Sequence, residues 1–315
     1  MRSAILTKDG FEIDDMPTPT IGDDDVLIQT IACGVCSGDV FVYQNRAEMS
    51  ATYSRLGHEA SGKVVAVGPS VTTLQLGDTV TSLASPAYAD YFVDKAAHLV
   101  KLPPTIDPKF ALGEAVACCV HAGNRFGIQP GDSVAVVGCG FMGLVCLQLA
   151  KYQGADFICA IDPLAERREM GHRFGADVSY HPDEMDSAAM LAAHSEFDVV
   201  IEAAGSQSAV DLCSDLVKEH GRIILVGYHQ SNQGMRTVKM QQWNYKAIDV
   251  VNGHVRRLGE KVAAMAQGMA LMQAGHIQTE PMVTLYNFAD IEQAFQNLAG
   301  GTTGLFKAIL QMETS

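Results

Sequence analysis

The stretch SVAVVGCGFMGLVCLQLAKY, residues 133–152, carries the pattern that decides the fold. An apolar, β-branched run ends at a glycine-rich string, GCGFMG, and an apolar segment long enough for a helix follows. The next strand-like segment, DFICAID, ends in an acid, Asp162. A GxGxxG string in this context, between a strand and a helix and followed by a strand with a terminal acid, is typical of dinucleotide binding. The sequence therefore predicts a dinucleotide-binding βαβ unit.

Each glycine of the string has a separate physical task. Gly138 permits the tight turn, Gly140 lets the backbone approach a pyrophosphate, and Gly143 lets the helix pack closely on the strand. The helix N-terminus offers unpaired N–H groups and the positive end of its dipole to the phosphates. A carboxylate at Asp162 accepts hydrogen bonds from the adenosine ribose and repels a 2′-phosphate, so we expect NAD rather than NADP.

The pattern of predicted strands and helices divides the chain into two parts. From about residue 122, apolar strands, glycine turns and amphipathic helices alternate, which predicts parallel βαβ units with helices on both faces of a sheet. The residues before that point form short β-rich runs broken by Gly, Pro and Asp. The last part opens with a helical stretch, residues 261–274, and ends in short strands expected to rejoin the first unit. We predict one domain from residues 1–121 and 257–315 and a second from residues 122–256.

The bulk properties limit the partners. A length of 315 residues is enough for about two domains. The formal net charge of −14 argues against nucleic acid and anionic membranes, which require clustered Lys and Arg. The sequence has no signal-type h-region and no run of eighteen apolar residues. We therefore expect a cytoplasmic protein with a small-molecule partner, in which the eight cysteines are thiols or metal ligands rather than disulfides.

Three segments contain side chains that suit a metal. GVCSGD contains Cys36, and GHEASG, residues 57–62, sets His58 beside Glu59 among residues too small to fill a core. Neighbouring side chains share a task only at a bend, which the flanking glycines permit. Thiolate, imidazole and carboxylate form a ligand set suited to Zn²⁺. The third segment, LGEAVACCVHAG, offers Glu114, Cys118 or His121.

Other interpretations of these residues stay open from the residues alone. An isolated His next to a Glu is most often a solvated surface pair. Cys33 and Cys36 form a CxxC that is also compatible with a redox pair, although a thioredoxin-like pair belongs at a helix start in a small βαβ fold and this one lies in a β-rich region. A metal site requires the three segments to converge in the folded chain.

In these motifs the chain resembles the medium-chain, zinc-dependent alcohol and polyol dehydrogenases, in particular the sorbitol dehydrogenase-like branch. The matching strings, in family order over nearly the whole chain, are GVCSGD, GHEASG, GDTV, EAVACCVHAG, GCGFMG with Asp162, and AAG at a strand end. The resemblance implies an α/β fold with a Rossmann doubly wound parallel-sheet domain, which binds NAD, and a β-rich GroES-like catalytic domain. It also implies an enzyme that oxidises an alcohol reversibly with NAD and one catalytic Zn²⁺ per subunit.

The resemblance assigns roles residue by residue. The implied zinc ligands, which are also the implied catalytic residues, are Cys36, His58, Glu59 and Glu114. Glu59 is a direct ligand in the polyol branch and an exchangeable one elsewhere, Cys118 is the fallback for Glu114, and Asp39 matches the acid that orients His58 through its other ring N–H. The implied contacts with NAD are Gly138, Gly140, Phe141, Met142, Gly143, Asp162, Ala204 and Gly227.

Two departures from the family pattern stand out. No cysteine lies between Cys36 and Cys118, so the lobe that holds a second, structural zinc is missing. Gly38 stands where most relatives place the Ser or Thr that relays the substrate proton, and Phe41 stands where many have the relay histidine. The sequence leaves the replacement open among Ser37, Tyr43, Glu114 acting through a bound water, and water alone.

The acidic ligand set favours a polyol, a sugar or another secondary alcohol, with the matching carbonyl compound as product. Tyr43, Tyr88 and His121 are candidate substrate contacts. We expect a homodimer or homotetramer, formed through the last strand of the nucleotide-binding sheet near residues 247–252. Two alternatives remain: a zinc-free quinone or enoyl reductase of the same fold, and a non-enzymatic NAD(H)-binding sensor.

Overall fold

The computed structural model describes residues 1–184 and 196–312. Two compact units make up the chain, one formed by Met1–Ala117 and Leu258–Ser315 and the other by Cys118–Arg257. None of the helices in the described ranges is both long enough and apolar enough to cross a membrane.

The described residues form strands β1–β15 and helices α1–α8. The strands are β1 (Arg2–Leu6), β2 (Phe11–Asp15), β3 (Asp25–Gly34), β4 (Glu59–Val67), β5 (Thr79–Thr81), β6 (Tyr91–Lys95), β7 (Val100–Lys101), β8 (Ser133–Val137), β9 (Phe157–Ile161), β10 (Val178–Tyr180), β11 (Phe197–Glu202), β12 (Val217–Leu225), β13 (Asp249–Asn252), β14 (Val283–Asn287) and β15 (Lys307–Gln311). The helices are α1 (Ser37–Gln44), α2 (Gly113–Gly123), α3 (Phe141–Tyr152), α4 (Ala165–Arg173), α5 (Gln207–Leu216), α6 (Met240–Lys246), α7 (Leu258–Gln273) and α8 (Ile291–Ala299). The helix predicted over residues 261–274 is confirmed as α7.

The first unit is built on a sheet in which β3 is the shared central strand. β3 pairs antiparallel with β4 along most of its length, with β6 near its start and with β15 at its end. The sheet order is β14-β15-β3-β4-β5-β7, and β1 and β2 form a separate antiparallel pair. Alternating burial along β3 places one face of the strand in the core. The prediction of a β-rich first domain is confirmed.

An aromatic cluster fills the core of this unit near its two chain ends. The ring of Phe295, on α8, is fully buried, and its centroid lies 4.6 Å from that of Phe11 and 5.4 Å from that of Tyr43. Tyr88 meets the same ring edge-on at 5.9 Å. Aromatic pairs at these distances contribute beyond the area they bury. Phe295 therefore joins the C-terminal part of the unit to the N-terminal sheet.

The second unit contains a six-stranded parallel sheet with the order β10-β9-β8-β11-β12-β13. This is the doubly wound order 3-2-1-4-5-6 of the Rossmann fold, which confirms the predicted parallel-sheet domain. The direction of winding reverses between β8 and β11, and ligands of such sheets bind beyond the carboxyl ends of the strands at that point. The glycine string after β8 and the AAG string after β11 therefore lie side by side.

Replacement of Phe295 by Ala should destabilise the first unit by about 3–5 kcal/mol, because it removes the ring on which three other aromatic rings pack. Chemical unfolding followed by circular dichroism measures the change. Leu76→Ala is the matched control, since Leu76 is 65% exposed, and should change the free energy of unfolding by less than about 0.5 kcal/mol. Equal effects of the two substitutions would contradict the assignment of this cluster as a core.

Candidate metal centre and dinucleotide site

Strand register brings together two of the three metal-ligand segments. Gly34, the last residue of β3, pairs with Glu59, the first residue of β4. Cys36 follows two residues later and caps α1, with its Sγ accepting the N–H of Gly38 at 3.4 Å. Gly57 has a φ of +93°, the left-handed region that favours glycine, so the chain bends immediately before His58. The predicted bend in GHEASG is present.

The result is a cluster of three potential ligands. The ligand atoms of Cys36, His58 and Glu59 lie within 4.8 Å of one another. A thiolate, an imidazole and a carboxylate at this spacing are a donor set that suits Zn²⁺. Glu59 is only 2% exposed, and its Oε2, which lies 2.6 Å from Lys307 Nζ, forms an ion pair but, among the described residues, no well-aligned hydrogen bond. A buried carboxylate oxygen with spare acceptor capacity fits a cation at this point.

The surroundings of His58 favour its protonated form. Burial alone would lower the pKa of His58, but a hydrogen bond with Cys36 and the charges of Asp39 and Glu59 raise the pKa to about 9. Asp39 is itself buried, which raises its pKa, and accepts a 2.7 Å hydrogen bond from the Tyr88 hydroxyl. His58 Nδ1 and Asp39 Oδ1 are 3.6 Å apart, which is an ionic contact rather than the predicted hydrogen bond. A metal ion that binds His58 must displace this proton.

Glu59 also holds a lysine that the sequence did not reveal as part of the site. Lys307 Nζ donates to Glu59 Oε1 at 2.7 Å and lies 2.6 Å from Oε2. Burial alone would lower the pKa of Lys307, but the negative charges of Glu59 and Cys36 raise it. Gly34 is required beside this pair, because a Cβ there would collide with the Glu59 carboxylate. The ammonium group therefore neutralises one candidate ligand in the metal-free site.

Glu114 stands apart from the three-residue cluster. It lies in the first turn of α2, is 8% exposed, and accepts a hydrogen bond from Lys261, in the first turn of α7. Burial alone would raise the pKa of Glu114, but the charge of Lys261 and its hydrogen bond hold the pKa below the usual range. Cys118, the fallback ligand, belongs to the second unit. The role of Glu114 as a third ligand stays a prediction.

Two candidate substrate contacts are wrong. The Tyr43 hydroxyl donates to Glu292 within the aromatic cluster, so it neither reaches substrate nor relays a proton. Tyr88 is 1% exposed and its hydroxyl is bonded to Asp39, which makes it a support for that carboxylate. The sequence missed this because an amphipathic Tyr fits both a cleft and a core. Ser37 is exposed, and its relay role stays a prediction.

The glycine string adopts the predicted turn. Gly138 has a φ of +96°, and a Cβ on it would meet the backbone of Ala204. A Cβ on Gly143 would collide with the carbonyl oxygen of Gly138. Gly140 is the N-cap of α3, and having no side chain it leaves space beside the first turn of the helix. This is the arrangement that binds phosphate at a helix N-terminus.

The acid at the end of β9 is more enclosed than expected. Asp162 is 2% exposed, with Oδ2 accepting the N–H of Cys139 at 2.8 Å and Oδ1 accepting that of Leu164 at 2.9 Å. Arg167 Nη1 lies 3.7 Å from Oδ2. Each carboxylate oxygen keeps a second lone pair for a ribose hydroxyl. Asp162 thus also fixes the glycine turn, a role that spacing alone did not indicate.

A buried glutamate, also missed, ties together the two other predicted cofactor loops. Glu202 ends β11 and is fully buried, and its Oε1 accepts the N–H groups of Ala204 at 3.0 Å and Gly205 at 2.6 Å. Its backbone carbonyl accepts the N–H of Gly227 at 2.9 Å. The loops that carry Ala204 and Gly227 are therefore held by one residue. The sequence signal that could have revealed this residue was the acid that ends the otherwise apolar string VVIE, residues 199–202.

Two more residues brace the same loops. His229 Nε2 lies 3.1 Å from Glu202 Oε2, and Arg236 Nε donates to His229 Nδ1 at 3.0 Å. A guanidinium N–H can only donate, so Nδ1 is the acceptor in this contact. Arg236 also donates to the carbonyl of Gly205 at 2.7 Å. No sequence pattern pointed to this network, because its members are brought together only by the order of the strands.

Comparison with known proteins identifies the family. Residues 22–104 match the model of the alcohol dehydrogenase GroES-like domain, and residues 142–273 match that of zinc-binding dehydrogenases. The chain belongs to the medium-chain, zinc-dependent alcohol and polyol dehydrogenase family. It is therefore an oxidoreductase of the zinc-type alcohol dehydrogenase family with a nicotinamide cofactor.

Several relatives cover nearly the full length. The chain is 26% identical to the sorbitol dehydrogenase of Halalkalibacterium halodurans, with 96% of this chain and 97% of that protein covered. Its fold matches a Sinorhizobium meliloti structure bound to NADP, with a TM-score of 0.87, 22% identity and coverage of 98% of both chains. It also matches acetophenone reductase from Geotrichum candidum in complex with NAD, with a TM-score of 0.84, 23% identity and coverage of 98% and 96%. At these identities the structural likeness supports the fold.

Gly143→Ala and Gly140→Ala should separate folding from cofactor binding. The added methyl of Gly143→Ala meets a backbone oxygen, so the free energy of unfolding should fall by about 1–3 kcal/mol. The nearest atom to a Cβ at Gly140 is Arg167 Nη1 at 3.9 Å, an ordinary contact, so Gly140→Ala should fold normally but bind NADH at least about tenfold more weakly. Thermal unfolding and NADH fluorescence titration measure the two effects. Undiminished NADH binding by Gly140→Ala would contradict the proposed phosphate cradle.

Proposed function

We propose that this chain is a zinc-dependent, NAD-linked dehydrogenase that interconverts a polyol, sugar or other secondary alcohol and its carbonyl compound. The observation that carries the proposal is the convergence of Cys36, His58 and Glu59 within 4.8 Å. Family membership supports the reaction class, and the sorbitol dehydrogenase relative supports the substrate class.

Cys36, His58 and one or both of Glu59 and Glu114 would hold the metal. Zinc bound by these residues would supply Lewis-acid chemistry, lowering the pKa of a substrate hydroxyl so that hydride loss to a nicotinamide would be feasible near neutral pH. Asp39, braced by Tyr88, limits the movement of the His58 ring. Gly38 carries no hydroxyl, so the departing proton passes through another group or water.

NAD is the proposed cofactor. The pyrophosphate would lie at the N-terminus of α3 over Gly140, with the adenosine ribose at Asp162. A 2′-phosphate at that point would meet a buried carboxylate, which disfavours NADP, although Arg167 lies close enough to reduce the penalty. Among the relatives, one structure holds NAD and another NADP.

Further assignments follow from the same proposal. The unit with the three-ligand cluster would be the GroES-like catalytic domain, and the unit with the parallel sheet the NAD-binding domain. A homodimer or homotetramer and a cytoplasmic location remain predictions from the sequence. Metal content and activity test the function directly. Protein purified without chelator should contain one Zn²⁺ per subunit and reduce NAD⁺ with members of a panel of polyols, sugars and simple alcohols.

The outcomes of that experiment separate the alternatives. A metal-free protein that reduces quinones or enoyl compounds with a nicotinamide cofactor would favour the zinc-free reductase. A protein that binds NADH but turns over none of these substrates would favour a sensor. Removal of zinc by a chelator should abolish alcohol oxidation, and added Zn²⁺ should restore it.

Cys36→Ser should lose the metal and activity, while Cys118→Ser should keep both, because only Cys36 belongs to the three-residue cluster. Zinc content is measured by mass spectrometry and folding by circular dichroism. Full metal occupancy in Cys36→Ser would mean that the proposed site is wrong. If Cys118→Ser lost zinc while Glu114→Gln retained it, Cys118 rather than Glu114 would be the ligand from the third segment.

A further inference from the structure

Two lysines face the acidic candidate ligands of the first unit. Lys307 bonds Glu59, and Lys261 bonds Glu114. Both acids are nearly inaccessible to solvent, at 2% and 8% exposure. A buried carboxylate is costly without a cationic partner, so the ammonium groups make the metal-free site stable.

The two pairs differ in their distance from the metal cluster. Among the described residues, Glu59 has an oxygen within 4.8 Å of the ligand atoms of Cys36 and His58, whereas Glu114 is absent from that cluster. Glu114 nevertheless interacts electrostatically with His58. The observed partner of its carboxylate is Lys261, with which it forms a hydrogen-bonded ion pair.

We propose that Lys261 is a positioning residue that competes with the metal for Glu114, making Glu114 an exchangeable ligand. This inference rests on the proposed zinc site. A metal ion gains Glu114 only when the Glu114–Lys261 pair opens or is shared, so the free energy of that pair is subtracted from the affinity for metal. With the pair intact, Cys36, His58 and Glu59 would be the residues that hold the ion.

The location of Lys261 supports this role. It lies in the first turn of α7, while Glu114 lies in the first turn of α2, so each group is carried by a helix rather than by a loop. The Lys261 side chain is 24% exposed, which leaves its long aliphatic stem room to change rotamer when Glu114 turns away. Lys307 is more tightly enclosed, at 8% exposure of its side chain, and gives Glu59 less freedom to leave its partner.

A double-mutant cycle on metal affinity tests the proposal. Lys261→Met should bind Zn²⁺ and Co²⁺ at least about tenfold more tightly than wild type, measured by competition with a chromophoric chelator. In a Glu114→Gln background the same substitution should change affinity by less than about threefold, because glutamine no longer supplies the exchangeable carboxylate. The thiolate-to-Co²⁺ absorption band reports that the ion is bound at Cys36 in every variant.

The controls isolate charge from position. Lys95→Met removes another lysine–carboxylate ion pair, 2.6 Å from Asp25 at the opposite end of β3, and should leave metal affinity unchanged. Lys261→Arg keeps the positive charge and should restore affinity to within about threefold of wild type. If Lys261→Met proves unstable, Lys261→Gln replaces it, since glutamine can still donate to Glu114 without a charge.

The possible results are distinct. If Lys261→Met raises metal affinity equally in the wild-type and Glu114→Gln backgrounds, Lys261 acts only by repelling the ion. If it raises affinity in neither background, Lys261 does not compete for Glu114. Either result overturns the inference but leaves the proposed zinc site intact. Wild-type protein that binds neither ion at Cys36 refutes the proposed function itself, and the inference with it.

Discussion

The pairing of β3 with β4 and β15 at Gly34 is the constraint on which the candidate centre depends. Gly34 stands opposite Glu59 on one side and Ile309 on the other. Because it has no side chain, the Glu59 carboxylate fits against the strand and meets Lys307. The same strand end leads directly to Cys36. One register therefore fixes a thiol, a carboxylate and an ammonium group, and a single bend at Gly57 adds the imidazole.

Short sequence patterns predicted those features of the fold that depend on residues close together in the chain. The alternation of strands and helices after residue 122 gave the parallel sheet, and the glycines of GCGFMG and GHEASG gave a turn and a bend, because in each case the deciding residues are neighbours in sequence. The lysines could not be found in that way. Lys307 is separated from Glu59 by 248 residues, and Lys261 from Glu114 by 147. A charged residue in the apolar strand FKAIL was a signal of a buried partner, but it did not identify that partner.

The second unit shows why a motif alone describes a cofactor site incompletely. The string GCGFMG accounts for the turn and the helix start. Asp162 and Glu202 are each buried at a strand end. Their carboxylate oxygens accept hydrogen bonds from backbone N–H groups of the loops that a cofactor would touch. Hydrogen bonds from backbone donors to a buried carboxylate are strong, so these acids make the loops rigid before a ligand arrives. Preorganisation of this kind reduces the ordering cost of binding.

The buried charges of the two acidic candidate ligands in the first unit are balanced by lysines of the same unit. Many metal sites gather carboxylates and thiolates whose repulsion is relieved only by the ion, and such sites couple folding to metal binding. Here both candidate carboxylate ligands already have ammonium partners, and the aromatic cluster around Phe295 supplies a core that needs no metal. At the proposed site, a metal ion would take the place of an ammonium partner and of the His58 proton.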